Sequence, residues 1–261
     1  MKLVAVGDNC IDFYEKTGQA FPGGNAVNVA VYFHRNGGES AYIGAVGNDR
    51  FGEVLLNGLK ENGVDTSHVH VEHGSTAVTQ VELVNGDRVF GDYDEGVMEN
   101  FTLREEDFDF IKGCDIVVSG FWGHVHRNFK DFHEQGIKTA FDFATKLEDP
   151  LVEETVSFVD CAFFSYDGED MDWLKAYMKK LHRFDSQMII VTRGEKGSLV
   201  FDGKDFYEFG IIPCQVVDTI GAGDSYIAGF LMGSLKGLPI IERMKLGAET
   251  SAETIEYNGA W

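Results

Sequence analysis

The chain has 261 residues, 44% of them hydrophobic, and its 22 basic and 43 acidic side chains leave a formal net charge of −21. That length supports one large α/β core with at most a small appendage, and the charge speaks against nucleic-acid backbones and anionic membranes, since both need basic surface. Four cysteines, Cys10, Cys114, Cys161 and Cys214, stand far apart without a C-x-x-C pair, so neither a zinc ribbon nor a disulfide framework is suggested and reduced core thiols are expected.

The first element is an apolar strand, Leu3 to Gly7, too short for the hydrophobic stretch of a signal peptide. No later run approaches the roughly 20 apolar residues of a membrane span, and a cytoplasmic location is expected. Asp8 and Asp12 follow, in Gly7-Asp8-Asn9-Cys10-Ile11-Asp12. Acids just beyond a buried strand stand where open α/β sheets bind ligands, although Asp8 also suits a turn or a cap. Gly23-Gly24-Asn25-Ala26-Val27-Asn28 then leads into a helix over 25–36. A glycine at 24 permits close backbone approach, and the Asn28 amide both donates and accepts, as hydroxyl recognition requires; an ordinary helix start is the plainer reading.

A strand from Ala41 to Val46 and a helix from Phe51 to Asn62 come next. Residues 76–83 alternate with period two, and Asn85-Gly86-Asp87 predicts a hairpin turn before Arg88-Val89-Phe90. With residues 11–21 this forms a small antiparallel sheet, expected over about 11–21 and 75–100 as a lid on an otherwise single domain spanning 1–261. Its acids Asp92, Asp94 and Glu95 suit a cationic ligand or, more plainly, solvated surface. Short buried strands follow at Ile116 to Ser119, Lys138 to Phe141, Cys161 to Phe164 and Met188 to Thr192, with a helix over Asp170 to Leu181. Trp122 and His124, just after the first of these, either line a pocket or pack as ordinary residues. The alternation predicts an α/β/α sandwich, a mostly parallel sheet with helices on both faces.

The segment Val217-Asp218-Thr219-Ile220-Gly221-Ala222-Gly223-Asp224-Ser225 carries the most chemistry. A buried helix over 225–235 would aim its unpaired N–H groups through Gly221, Ala222 and Gly223, making an anion hole. Asp224 beside that hole has the chemistry of a base taking a proton from a hydroxyl that attacks phosphate. Taken alone, the segment also fits a tight bend followed by an acid in a helix first turn.

Together these motifs resemble the ribokinase-like, or PfkB, family of sugar kinases over essentially the whole chain. The resemblance implies Asp224 as base, Gly221, Ala222 and Gly223 as the anion hole, and Asp12, Asp8, Gly24 and Asn28 on the sugar. It also implies a nucleotide-side loop at Thr192-Arg193-Gly194-Glu195-Lys196-Gly197, with Thr192, Gly194 and Gly197 near the phosphates. ATP and Mg²⁺ are the implied cofactors, and a net charge of −21 makes Mg²⁺ and a local anion hole necessary for ATP to approach. Relatives often pair their lids in a homodimer. Within the family, the stretches 24–32, 87–93 and 95–98, Trp122-Gly123-His124 and Tyr257-Asn258-Gly259-Ala260-Trp261 are similar to bacterial fructoselysine 6-kinases. That likeness implies transfer to the 6-hydroxyl of a fructosamine, with Asp92, Trp122 and His124 on the substrate side.

The sequence also departs from the family pattern. Where relatives carry an Asn-x-x-Glu pair that organises Mg²⁺ through water, this chain reads Ser165-Tyr166-Asp167-Gly168-Glu169-Asp170, leaving Glu169 or Asp167 as substitutes. Ile220 stands where a threonine is common, which weakens the case for a monovalent-cation site. Lys146 is a further phosphate candidate or simply surface. A Rossmann dehydrogenase lacks its G-x-G-x-x-G here, and a P-loop kinase its G-x-x-x-x-G-K-[ST]. A fructokinase, a nucleoside kinase and a catalytically silent sugar sensor stay open.

Overall fold

The structure is a computed structural model that describes residues 1–84, 87–185 and 187–261. In chain order the elements are β1 (Lys2–Val6), β2 (Cys10–Tyr14), β3 (Gln19–Gly23), α1 (Asn25–Arg35), β4 (Glu39–Ile43), β5 (Ala45–Gly47), α2 (Arg50–Glu61), β6 (His70–Glu72), β7 (Val78–Val84) and β8 (Asp87–Asp94). They continue with α3 (Glu105–Lys112), β9 (Ile116–Gly120), α4 (Phe129–Glu134), β10 (Thr139–Asp142), α5 (Pro150–Thr155), β11 (Cys161–Ser165) and α6 (Met171–Leu181). The last are β12 (Met188–Thr192), β13 (Ser198–Phe201), β14 (Phe206–Phe209), α7 (Ala222–Leu235) and α8 (Ile240–Thr254).

Strands that are apolar on both sides must be covered on both faces, and the central sheet obeys this. Its order is β14-β13-β12-β11-β10-β9-β1-β4, parallel from β4 through β12 and antiparallel only in the pairings of β13. Alternate residues of each strand feed separate cores. Leu3, Ala5, Val118, Phe163 and Ile190 pack with α1, α2, α7 and α8, while Val4, Val6, Val117, Phe164 and Val191 pack with α3 through α6. The result is the expected three-layer sandwich. The chain runs from β1 to β4 on one side of β1 and returns to β9 on the other, so a crevice opens at the carboxyl ends of β1 and β9.

A second sheet, β3-β2-β7-β8, provides the small appendage. It consists of two antiparallel hairpins, β2 with β3 and β7 with β8, joined by a parallel seam between β2 and β7. Of the predicted turn, Asn85 and Gly86 lie outside the described residues. The single strand expected over 41–46 is split into β4 and β5 at Gly44, because the Tyr42 ring turns back beneath that glycine to bond the Gly7 carbonyl at 2.5 Å. The antiparallel strands β13 and β14 at one end of the sheet and the β5–β6 pair had no period-two signal long enough to announce them. Among the four cysteines, only Cys161 is fully buried. No helix among the described residues is long and apolar enough to cross a membrane.

Candidate active site

Helix α7 is apolar on all sides and buried from Ser225 to Gly233, so its position is fixed by packing rather than by an amphipathic stripe. It starts three residues earlier than the sequence predicted, at Ala222. Gly221 caps it at φ 75, a left-handed conformation that a side chain would strain. Asp224 therefore lies within the first turn, beside the groups whose N–H bonds the helix cannot satisfy. The Ala222 N–H also closes a turn on the Thr219 carbonyl at 3.3 Å.

Two amides of α1 hold the Asp224 carboxylate. Asn25 Nδ2 donates to Oδ1 at 2.8 Å and Asn28 Nδ2 donates to Oδ2 at 2.7 Å. Asn25 Nδ2 also donates to Asp142 Oδ2 at 2.9 Å, and the Asp142 Oδ1 accepts the Ala144 N–H at 2.8 Å. On the far side of Asn28, Oδ1 accepts the Trp261 indole N–H at 2.7 Å. Helix α1 is steered into this position by its own first residue, whose N–H donates to Asp8 Oδ2 at 2.8 Å. Gly24, at φ 110, lets the chain turn there, since a β-carbon would stand 2.6 Å from Asn9 Cα.

Three carboxylates thus converge on one amide-bearing helix, and they disfavour each other's ionisation. Burial carries the Asp224 carboxyl up to about 7; the Asn28 and Asn25 donors oppose the shift and the Asp142 and Asp8 charges add to it. Burial likewise lifts Asp142 to about 6, and it raises Asp8 against the pull of the Asn25 N–H. A carboxylate poised near neutrality, desolvated yet held by two donors, has the properties of a general base.

Beside α7 lies a cavity of about 750 Å³ whose lining includes Thr192, Gly194, Gly197, Ala222 and Gly223, joined by apolar Ile211, Ile212, Val216 and Ile255. Thr192 ends β12, and its hydroxyl lies 3.0 Å from that of Ser165 at the end of β11. The residues predicted for the nucleotide side therefore line one cavity with Ala222 and Gly223, two of the three residues predicted for the anion hole.

The structure brings Asp8, Gly24, Asn28 and Asp224 into one constellation. Asp12 lies on β2 beside Cys10, whose thiol is 3.7 Å from its Oδ1, and its charge reaches Asp8. His124, at φ 58, pairs with Glu95 at 3.1 Å, and both act on Asp8 through their charges. Trp122 is 43% exposed and meets Phe121 edge-on. Asp92 is exposed on β8, and Asp94 accepts the Gly96 N–H at 2.9 Å. Glu169 is 85% exposed and bound to Lys196, whereas Asp167 lines the nucleotide-side cavity. Lys146 is exposed near the Phe121 ring. Sequence reasoning did not single out Asn25, Asp142 or Trp261. Asn25 was in plain view beside Gly24, and Trp261 closes a stretch marked only by its likeness to fructoselysine 6-kinases, while Asp142 carries no local pattern.

The chain matches the description "pfkB family carbohydrate kinase" over residues 1–261. It is 47% identical over 259 residues to the fructoselysine 6-kinase of Escherichia coli (strain K12), covering 99% of each chain. It is 35% identical to the fructosamine kinase FrlD of Bacillus subtilis (strain 168), covering all of this chain and 93% of the relative. Among solved structures, Arabidopsis thaliana ribokinase complexed with ribose and ATP superposes with a TM-score of 0.85 at 21% identity, covering 99% of this chain and 93% of that one. The chain belongs to the pfkB family of carbohydrate kinases.

Proposed function

We propose that the protein transfers the γ-phosphoryl group of ATP to the 6-hydroxyl of fructoselysine or a closely related fructosamine. The observation that carries the reading is the first turn of α7, where Asp224, held between two α1 amides, adjoins backbone that lines the 750 Å³ cavity. Asp224 takes the hydroxyl proton as the sugar oxygen bonds to the γ-phosphorus and the bond to the β–γ bridging oxygen breaks; ADP leaves with the electron pair. Gly221, Ala222 and Gly223 provide the backbone donors for the charge on the transferring group. The apolar wall of Ile211, Ile212, Val216 and Ile255 suits an adenine ring, and the neighbouring fold of ribokinase holds ribose and ATP.

The sugar side is assigned to Asp12, Asp8, Gly24 and Asn28, with Trp122, His124 and Asp92 toward the amine end. The identity to fructoselysine and fructosamine kinases supports the acceptor, and an amine-bearing sugar suits a pocket where Asp8, Asp12 and Glu95 outnumber the one nearby base, His124. Mg²⁺ keeps most of its waters and binds phosphates with only one or two carboxylates. Among the described residues no cluster of three or more acids, histidines and cysteines stands ready for a metal, and the two acids of the cavity lining, Asp167 and Glu195, fit that sparse requirement. When bound with ATP, Mg²⁺ neutralises charge on the β- and γ-phosphates. Pairing through the small sheet into a homodimer and a cytoplasmic location complete the proposal.

The test is ADP release with Mg²⁺-ATP across fructoselysine, other fructosamines, fructose, ribose and adenosine, ranked by kcat/KM. Fructoselysine or another fructosamine is expected to lead. Preference for plain fructose or a nucleoside would keep the kinase and remove the amine reading, and silence across the panel would favour a sugar sensor.

A further inference from the structure

The hydrogen bonds running from Trp261 to Asp224 have a direction. The Trp261 indole N–H donates to Asn28 Oδ1, and Asn28 Nδ2 donates to Asp224 Oδ2, each at 2.7 Å. An indole N–H can only donate, whereas the two ends of an asparagine amide have nearly the same shape and opposite hydrogen-bonding sense. By meeting the amide oxygen, the indole leaves the amide N–H groups on the Asp224 side. The reversed amide would set N–H against N–H at Trp261 and a carbonyl oxygen against a carboxylate at Asp224.

The indole is itself held in place. Its ring packs on the core beside Gly58 of α2, where a β-carbon would meet the ring at 3.1 Å and Pro22 of β3 at 3.3 Å. The segment that carries it is tied at two more points. Arg35 of α1 donates to the Tyr257 hydroxyl at 2.8 Å, and the Gly259 N–H donates to Asp218 Oδ2 at 2.7 Å. Asp218 also accepts the Ile220 N–H at 3.2 Å, just ahead of the Gly221 cap. Residues 257–261 therefore join α1, α2 and the loop that opens α7.

We propose that Trp261 is a positioning residue for phosphoryl transfer, its indole N–H fixing the Asn28 amide in the sense that donates to Asp224. The inference rests on Asp224 being the base. Asp142 from β10 and Asp8 from the turn after β1 face Asp224 and oppose its ionisation, and the Asn25 and Asn28 amides of α1 favour it. Loosening one of those two donors makes the carboxylate harder to form and aim.

The test is Trp261→Phe in the full chain, which keeps a packing ring and removes the N–H, assayed for kcat, KM and the pH profile of kcat with Mg²⁺-ATP and the preferred acceptor. A roughly tenfold fall in kcat, the scale of one hydrogen bond, is expected with the KM for ATP unchanged, and the acid limb of the profile should move to higher pH. In an Asn28→Ala background, the same substitution should add little, because its effect passes through Asn28. An unmoved acid limb, or a full additional loss in the Asn28→Ala background, would overturn the proposal, including the case where only the melting temperature falls. Asp224→Asn in the same assays separates the two levels. A near-wild-type Asp224→Asn removes the base and the inference with it, whereas an inactive Asp224→Asn beside a wild-type Trp261→Phe removes the inference alone.

Discussion

The proposed acceptor side of the cleft is assembled from side chains far apart in the chain, Asp8, Asn25, Asn28, Asp142, Asp224 and Trp261. The proposed nucleotide side is instead walled largely by small and aliphatic residues of the loops 192–197, 210–216 and 219–223. The difference matches what each half has to recognise. A phosphate chain is met adequately by helix N-terminal N–H groups and glycine-lined backbone, which do not distinguish one nucleotide-bearing fold from another. A particular sugar hydroxyl must be picked out and deprotonated, which takes directed side-chain bonds and a carboxylate of tuned basicity.

Removing the proposed base should separate the halves most sharply. Asp224→Asn is expected to lower kcat on the order of 10³-fold while ATP affinity, measured by titration calorimetry, changes little. Retained turnover would mean that the carboxylate with the shared amide donors is not where the proton goes.

The acceptor half can next be tuned rather than abolished. A base works ionised, so activity should fall as pH drops through about 7, where burial holds Asp224. Asn25→Ala takes a donor from both Asp224 and Asp142, and should cost roughly ten- to a hundredfold in kcat while moving the acid limb to higher pH. Asp142→Asn removes a repelling charge, and should move the same limb to lower pH with a smaller change in kcat. Limbs that shift together in either direction would show that the amide and the carboxylate do not act on Asp224 in opposite senses. Neither change should affect the KM for ATP, which belongs to the other half.

The same contrast explains what the sequence disclosed. The layered fold was legible because parallel strands such as Val4 to Val6 and Met188 to Thr192 are continuous apolar runs, whereas the 192–197 loop was legible as nucleotide-side only through the family resemblance. The start of α7 was misread by three residues, since Gly221 as a left-handed cap and Gly223 inside the helix look alike on paper. The acceptor network was only half legible. Asn28 and Asp224 lie in recognisable motifs, yet the Asn25 bonds to Asp142 and Asp224 span 117 and 199 positions, and the Trp261 bond to Asn28 spans 233. No local period announces contacts of that separation. Asp142 in particular reads as the ordinary polar end of a strand until β10 is placed beside β9 at the crevice.

The smallest expected effect bears on how little the nucleotide half relies on side chains. Glu169, one of the two acids the sequence offered for Mg²⁺, is 85% exposed and bound to Lys196, so its charge is already committed on the surface and screened by water. Asp167 lines the cavity with Thr192 and Ser165, as does Glu195 of the following loop. Glu169→Gln should therefore leave the Mg²⁺ concentration for half-maximal rate within about twofold of wild type. Asp167→Asn should raise it severalfold at nearly unchanged kcat, because a single carboxylate lost from a mostly water- and phosphate-held ion weakens binding without touching the base. The opposite order in a Mg²⁺ titration at fixed ATP would mean that the Lys196 pair opens during turnover and frees Glu169 for the metal, and the nucleotide half would then depend on a placed side chain as the acceptor half does.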